Sequence, residues 1–332
     1  MNPIAIYSGS IVIYWSSIVI ALGLLACLCM SLALNATNRE RSSGMLLFVA
    51  LTVVLSVPLC RAVHWYAHIE QYAGFGAAMT DYSNGSYVLS AALLAAFLAA
   101  LIVKALGLCS SAAKLLDAFA PGAALAVAFI RLSSLFNNAC RSKIIFQTPA
   151  LQQLPMASGI TTSTGAVEYR FATFFIHFLL MLVICYMLLD FFGKRRNVPK
   201  KHGRAAGDTA RMFLLFYSAS EVVMDSTRYD SSFLHSNGFV SIVQIAAGVC
   251  ILGLLIYYSI HSIKANGMRF YHWLGWLGFL ASLGAAGGSE YLVQRHGNWY
   301  MFCYPAMSLC CIGMALVVYC LYKTCCVKPD KA

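Results

Sequence analysis

The run IVIYWSSIVIALGLLACLCMSLAL, Ile11 to Leu34, carries no charged side chain over its whole length. A hydrocarbon core about 30 Å thick is crossed by roughly 20 helical residues, so this run is long enough to span it. Its apolar residues are continuous, whereas barrel strands alternate lipid-facing with lumen-facing residues. Helices and closed barrels are the two structures that satisfy every backbone group in lipid, so the run reads as a helix.

Working outward, eight further stretches read the same way: Leu46 to Ala62, Tyr87 to Leu106, Leu115 to Phe136, Phe171 to Phe192, Arg211 to Ser226, Gly238 to Ile260, Trp273 to Val293 and Tyr300 to Tyr322. The sixth is the least apolar, because Glu221 and Asp225 lie inside it, and Pro121 interrupts the fourth. The chain of 332 residues is 60% hydrophobic and 11% charged, and a soluble fold could not cover that much apolar side chain. The reading is an all-α polytopic membrane protein with about nine transmembrane helices. Only short loops remain, which excludes a soluble domain and most enzymes of soluble metabolites.

The net charge of +11 has a topological explanation. With the N-terminus outside, 16 of the 23 Lys and Arg residues fall on the inner side, including Arg39, Arg41, Lys104, Lys114, Lys264, Arg269, Lys323, Lys328 and Lys331. The densest basic run, KRRNVPKKHGR from Lys194 to Arg204, falls there too. The positive-inside rule therefore predicts N-out, C-in. That run has no interleaved aromatic residue to stack a base, so no nucleic-acid partner is expected. Met1-Asn2-Pro3-Ile4 offers no basic n-region, and the first span is expected to stay in the chain.

Thirteen cysteines show no zinc or haem spacing, and no metal or cofactor is expected. Most lie in spans, where they pack as small hydrophobes. Cys140 and Cys303 are the two nearest the outer side. Gly275, Gly278, Gly284, Gly287 and Gly288 would let the eighth span pack closely on a neighbour. The longest outer loop, from about Asn137 to Arg170, reads either as a cover over a membrane-surface site or as a plain spacer. HWYAHIEQY, His64 to Tyr72, reads as an amphipathic helix on the outer leaflet.

Ionisable residues inside spans are costly and usually face the bundle interior, which makes them functional candidates. Arg131 ends the fourth span and is followed by Ser133, Ser134, Asn137 and Asn138. Glu221, Asp225 and Arg228 are spaced by four and three, so they share a helix face. Two structural roles compete with a functional one: an intrahelical Asp225–Arg228 ion pair, and arginines that snorkel to the interface. Against these, Arg61, Arg131 and Arg228 come from three spans and should lie at similar depth near the outer boundary, where the abundant anion is a phospholipid phosphate. His177, alone in FFIHFLL, reads as a hydrogen-bonded packing residue.

The order of these signals resembles the prolipoprotein diacylglyceryl transferases of bacteria. IYWSSIVIALGLLACL, from Ile13, is similar to that family's first-span motif, and PLCRAVHWY, from Pro58, to its segment with an arginine ending the second span. KLLDAFAPGAALAVAFIRLSSLFNNA, Lys114 to Ala139, resembles the Leu, Asp and Ala-Pro-Gly helix that leads into the signature Arg-x-Gly-Asn-Phe-x-Asn-Gly-Glu. LLFYSASEVVMDSTRYD, from Leu214, resembles the sixth-span motif, and SNGFVSIVQIAAGVCILGL, from Ser236, the last family span. The resemblance runs in order over roughly residues 8 to 260.

It implies a seven-span, N-out bacterial inner-membrane enzyme that moves a diacylglyceryl group from phosphatidylglycerol to the thiol of a lipobox cysteine. By resemblance Arg131 matches the signature arginine, and Arg228 the last sixth-span arginine. Arg61 matches the second-span arginine, Tyr217 the sixth-span tyrosine and Asn137 the second signature asparagine, while Asp225 keeps a carboxylate at the place of a glutamate. The resemblance thus implies Arg131, Asp225 and Arg228 as catalytic residues and Arg61, Asn137, Tyr217 and Glu221 as lipid-binding ones.

The chain departs from the pattern at several of these places. Ser90-Ala91-Ala92 stands where the family has His-Gly-Gly, and Ser16 replaces a tyrosine. Ser134 replaces the first signature asparagine, Ala139 the signature glutamate, and Glu221 another sixth-span arginine. Arg170 to Ile176, RFATFFI, replaces His-Pro-Ser-Gln-Leu-Tyr-Glu. Residues 261–332 add two spans to a core of residues 1–260. The expected function is a phospholipid-dependent transferase of lipoprotein biosynthesis, with prolipoproteins as protein partners. The alternatives are a diverged lipid-binding homologue without thiol acylation and a small-solute transporter. The spans set no oligomeric state.

Overall fold

The computed structural model describes residues 3–8, 11–80, 88–161, 165–197, 205–233, 238–297 and 299–326. Tyr87 at the start of the third expected span, residues 198–204 of the basic run, and Lys328 and Lys331 lie outside the described residues. The chain begins with a small hairpin, β1 (Ile4–Ser8) and β2 (Ile11–Tyr14), followed by α1 (Trp15–Thr37), α2 (Ser42–Ala67), a short α3 (Phe75–Thr80), α4 (Ala91–Ala105) and α5 (Ala112–Ser133). A one-turn α6 (Pro149–Gln152) and a second hairpin, β3 (Ala157–Thr161) with β4 (Val167–Phe171), come next. The chain continues with α7 (Thr173–Asn197), α8 (Asp208–Thr227), α9 (Ile242–Asn266), α10 (Phe270–His296) and α11 (Tyr300–Cys326).

Each of the nine expected spans has its helix. Six of them, α1, α2, α5, α7, α9 and α11, are long and apolar enough to cross a membrane by length and composition. The third, α4, is apolar but only 15 residues long. The sixth, α8, carries the acids and cations already noted, and α10 mixes its leucines with glycine, tryptophan and histidine. Their outer faces are what a lipid solvent selects: Leu22, Val54, Phe97, Tyr186, Val249, Leu277 and Leu309 are all exposed.

Close backbone approach sets the pairing of α1 with α5. A Cβ on Gly122 would stand 2.8 Å from the Cys27 carbonyl oxygen and 2.7 Å from Ser31 Oγ, and one on Gly23 would collide with the Phe129 side chain. Small residues at both positions let these helices touch, so α5 runs through the core; Pro121 sits within it, fully enclosed. The glycines of α10 behave differently. A Cβ on Gly278, Gly284, Gly287 or Gly288 would meet nothing within 4 Å, and Gly275 touches only Val317, so the glycine stripe is not the packing seam expected of it.

Two ends of the bundle can be told apart by their hydrogen bonds. At one, Thr173 at the start of α7 meets Thr227 at the end of α8, and Tyr304 of α11 reaches the Ser226 carbonyl. At the other, Ser262 of α9 meets Thr324 of α11 and His272 of α10. The start of α9 is fixed by a reciprocal cap in which Ser241 Oγ accepts from the Gln244 amide at 3.1 Å and Gln244 Oε1 accepts from the Ser241 amide at 2.9 Å.

The described residues of the loop between α5 and α7 form hydrogen-bonded structure in place of a plain spacer. Residues 140–146 pair on one side with the β4 region, through Ser142 N to Phe171 O and Phe146 N to Tyr169 O. On the other side they pair with the chain leaving α8, through Lys143 N to Thr227 O and Tyr229 N to Arg141 O. After α2 there is a single 3-10 turn, Ile69–Gln71, and then α3, in place of one amphipathic helix.

Candidate functional site

The site lies where α5, α7 and α8 converge at the first of these ends. Asp117, fully buried on α5, sets the register: its carboxylate accepts from the Gly207 amide at 2.7 Å and the Ala210 amide at 3.0 Å, capping the start of α8. A carboxylate there complements the helix dipole and satisfies amides that have no partner within the helix. With α8 fixed against α5 at that end, Arg131 at the far end of α5 comes level with the acidic face of α8.

Arg131 Nη2 meets Glu221 Oε1 at 2.5 Å, with both side chains buried. His177, from α7, brings Nε2 within 3.2 Å of Glu221 Oε2. The histidine read as packing is therefore a member of the cluster. One turn further along α8, Asp225 Oδ1 lies 3.4 Å from Arg228 Nη1, which is the intrahelical pair anticipated from their spacing. Arg228 also grips Asp230 through a fork, Nε to Oδ1 at 3.0 Å and Nη2 to Oδ2 at 3.1 Å. Burial pushes the Asp230 carboxyl upward, but the Arg228 guanidinium and the Cys140 amide outweigh it and hold the group below the usual carboxylate range.

Cys140 closes the cluster. Its amide donates to Asp230 Oδ2 at 3.0 Å, its thiol lies 3.2 Å from Arg131 Nη1, and its φ of 56° is in the left-handed region that non-glycine residues rarely occupy. It is a free thiol, as is Cys303. Five buried polar atoms in this cluster have no hydrogen-bond partner: Arg131 Nε, Tyr217 Oη, Asp225 Oδ2, and the facing His177 Nε2 and Glu221 Oε2. Such atoms are few in folded proteins and mark a place where a polar ligand would be accommodated.

Tyr217 also walls a second space. A cavity of about 140 Å³ between α1, α2, α4 and α5 is bounded by Thr52, Ser56, Ala92, Ile130 and Tyr217, and its walls are mostly apolar. Ala92 belongs to the triplet that replaces His-Gly-Gly, and Ile130 precedes Arg131.

Five of the seven candidate residues, Arg131, Tyr217, Glu221, Asp225 and Arg228, thus lie in one cluster. Arg61 is buried on α2 and donates to the Ala78 carbonyl of α3, which ties these two helices together. Asn137 sits on an exposed turn, where its Oδ1 accepts from the Ala139 amide at 2.9 Å. The carbonyl of Asn137 accepts from Arg141.

Sequence reasoning missed Glu290, within the expected eighth span. It is buried on α10, accepts from Ser226 Oγ and from Gln294 Nε2 at 2.8 Å, and stands beside the residue that follows Asp225. Gln294 in turn accepts from Lys143 Nζ at 2.6 Å. Desolvation lowers the Lys143 ammonium from its ordinary value although Glu290 and Asp225 support its charge. An acid inside an apolar run was the signal that singled out α8, and the same signal marks Glu290.

The cluster thus sets two guanidinium groups, Arg131 and Arg228, against three carboxylates, Glu221, Asp225 and Asp230. A search of curated proteins returns no match to the chain. The family model described as Prolipoprotein diacylglyceryl transferase matches residues 3–258, well over half of the length. The chain therefore belongs to the prolipoprotein diacylglyceryl transferase family, and its matched part ends within α9, ahead of α10 and α11.

Proposed function

We propose that this protein transfers a diacylglyceryl group from phosphatidylglycerol to the cysteine thiol of prolipoproteins, as a multi-pass protein of the bacterial inner membrane with its N-terminus outside. The observation that carries the reading is the pair of guanidinium groups, Arg131 buried and Arg228 partly buried, beside the unpartnered oxygens of Tyr217 and Asp225. In the reaction a thiolate attacks the glycerol carbon that bears the phosphate, the carbon–oxygen bond breaks, and glycerol phosphate leaves with the electron pair. Charge grows on the phosphate oxygens as the bond breaks, and fixed cations there favour the transition state over the bound lipid. Asp225 Oδ2 serves as acceptor for the thiol proton. The apolar cavity at Tyr217 takes acyl chain, while the segment 140–146 covers the reacting groups from water.

Residues 1–260 form the family core in this reading, and residues 261–332 a separate extension. A second reading is favoured by two particular observations: Ser90-Ala91-Ala92 leaves the family's histidine position without a base, and Glu221 already neutralises Arg131. On that reading the protein binds phospholipid without acylating a thiol. Incubating the purified protein with phosphatidylglycerol and a lipobox peptide separates the two. A diacylglyceryl adduct on the peptide, with glycerol phosphate released, is expected for the transferase. Co-purifying lipid with neither product would assign the second reading.

A further inference from the structure

A groove of about 570 Å³ lies between α7, α8 and α11, away from the polar cluster and on a different face of α8. Its walls include Val183, Met187, Phe191, Val223, Ile312 and Leu316. Its two serines bond within their own helices: Ser220 Oγ donates to the Tyr217 carbonyl at 2.7 Å and Ser308 Oγ to the Tyr304 carbonyl at 2.8 Å. The rest of the lining is mostly apolar. One wall is α11, which lies beyond the matched residues 3–258, so the seven-span core alone does not form this groove.

The shape of the groove identifies its occupant. Along α7 the apolar lining runs from Leu180 to Phe191, eleven residue steps or about 16 Å of helix. Half of a hydrocarbon core about 30 Å thick is about 15 Å, the depth of one leaflet. Just where the apolar lining ends, Asp190 and Lys194 form the rim, paired at 2.5 Å with side chains 50% and 63% exposed. A pair so exposed is held weakly, and the ammonium keeps two more protons for another oxygen. This rim is at the end of the bundle that the charge distribution assigns to the cytoplasmic side, where anionic lipids attract lysine.

We infer that the groove is a second lipid site, independent of the reaction above, in which one acyl chain of an anionic phospholipid from the Lys194-side leaflet lies between α7, α8 and α11 and its phosphate meets Lys194. The lipid then acts as a wedge that joins the added helices to the core.

The test reconstitutes the full-length protein in nanodiscs containing phosphatidylcholine and a trace of phosphatidylglycerol with a photoreactive diazirine in one acyl chain, and maps the adducts by mass spectrometry. Adducts concentrated on Met187, Ile312 and Leu316 are expected, with a several-fold excess over the lipid-facing Leu22 and Leu277. Ala315→Trp, which fills the groove, should reduce them at least fivefold. Lys194→Ala should abolish the preference over a diazirine phosphatidylcholine probe while leaving chain labelling in place. Equal labelling of groove and outer faces in the wild-type protein overturns the inference without any variant, as does a dimer in which the groove is shielded by a second copy. Labelling in the cavity beside Tyr217 is a separate result that bears on the reaction site alone.

Discussion

Arg131 on α5 and Glu221 on α8 meet at 2.5 Å with side chains 5% and 2% exposed, so the cation nearest the proposed phosphate is already countered by a carboxylate. Removing one partner leaves the other buried and uncompensated, which costs about 3–5 kcal/mol. Arg131→Ala should therefore lower the unfolding temperature in detergent and abolish transfer of the diacylglyceryl group. Glu221→Gln keeps the shape and removes the charge, so Arg131 becomes freer to bind phosphate. Tighter retention of phosphatidylglycerol by Glu221→Gln than by the wild-type protein is the expected result, read by lipid co-purification; weaker retention would mean that Glu221 supports the headgroup site.

The Asp230 carboxyl is held low by Arg228 and by the Cys140 amide. A group with a depressed folded-state pKa contributes stability that is present above its unfolded value and lost as pH falls through the folded one. Thermal stability should therefore fall in acid, below about pH 4, where an ordinary aspartate titrates. Asp230→Asn should be less stable than the wild-type protein at neutral pH, and the gap between them should narrow as the pH is lowered. A gap that stays constant from pH 7 to pH 3 would show that the fork to Arg228 contributes through shape and not through charge.

The nine helices were legible because apolar runs of about 20 residues have one common outcome in lipid. The boundaries moved where a local competitor was present. Ile11–Tyr14 is β-branched and aromatic and pairs with Ile4–Ser8, so α1 starts at Trp15 and not at Ile11. The cluster was half legible: Glu221, Asp225 and Arg228 follow from helical spacing, but His177 is 44 residues from Glu221 and no local pattern reports that they face each other. Arg61 and Asn137 were drawn in by their place at the outer ends of spans and by family position, and the structure gives them backbone partners on α3 and in the turn after α5. The hairpin β3–β4 was hidden because its polar Thr, Ser and Gly residues also suit a loop.

Glu290 couples α10 to α8 through Ser226. Glu290→Ala strands that hydroxyl and removes the acceptor for Gln294, a loss of about 1–3 kcal/mol for a buried polar group left unsatisfied. Glu290→Gln keeps one acceptor and should recover much of the difference. Limited proteolysis provides the check: Glu290→Ala should be cut between α9 and α10 faster than the wild-type protein, with the Gln variant in between. Equal rates for all three would mean that apolar packing between α9 and α11 holds the extension by itself.

The two ends of the bundle carry opposite expectations for access, and single cysteines introduced at exposed positions can read them. Gln153 lies beside α6 at the end that holds Arg131, and Met268 lies in the turn between α9 and α10 at the end that holds Lys264. In a background with the native cysteines replaced, Gln153→Cys should react with a membrane-impermeant maleimide in intact spheroplasts, whereas Met268→Cys should react only after permeabilisation. The opposite pattern would put the basic loops outside, against the positive-inside rule, and would move the proposed thiol acceptor to the cytoplasmic face. The proposed function sets Arg131 and Asp225 at the outer end of the bundle, so that pattern would overturn the proposed topology and the side from which the thiol is proposed to arrive.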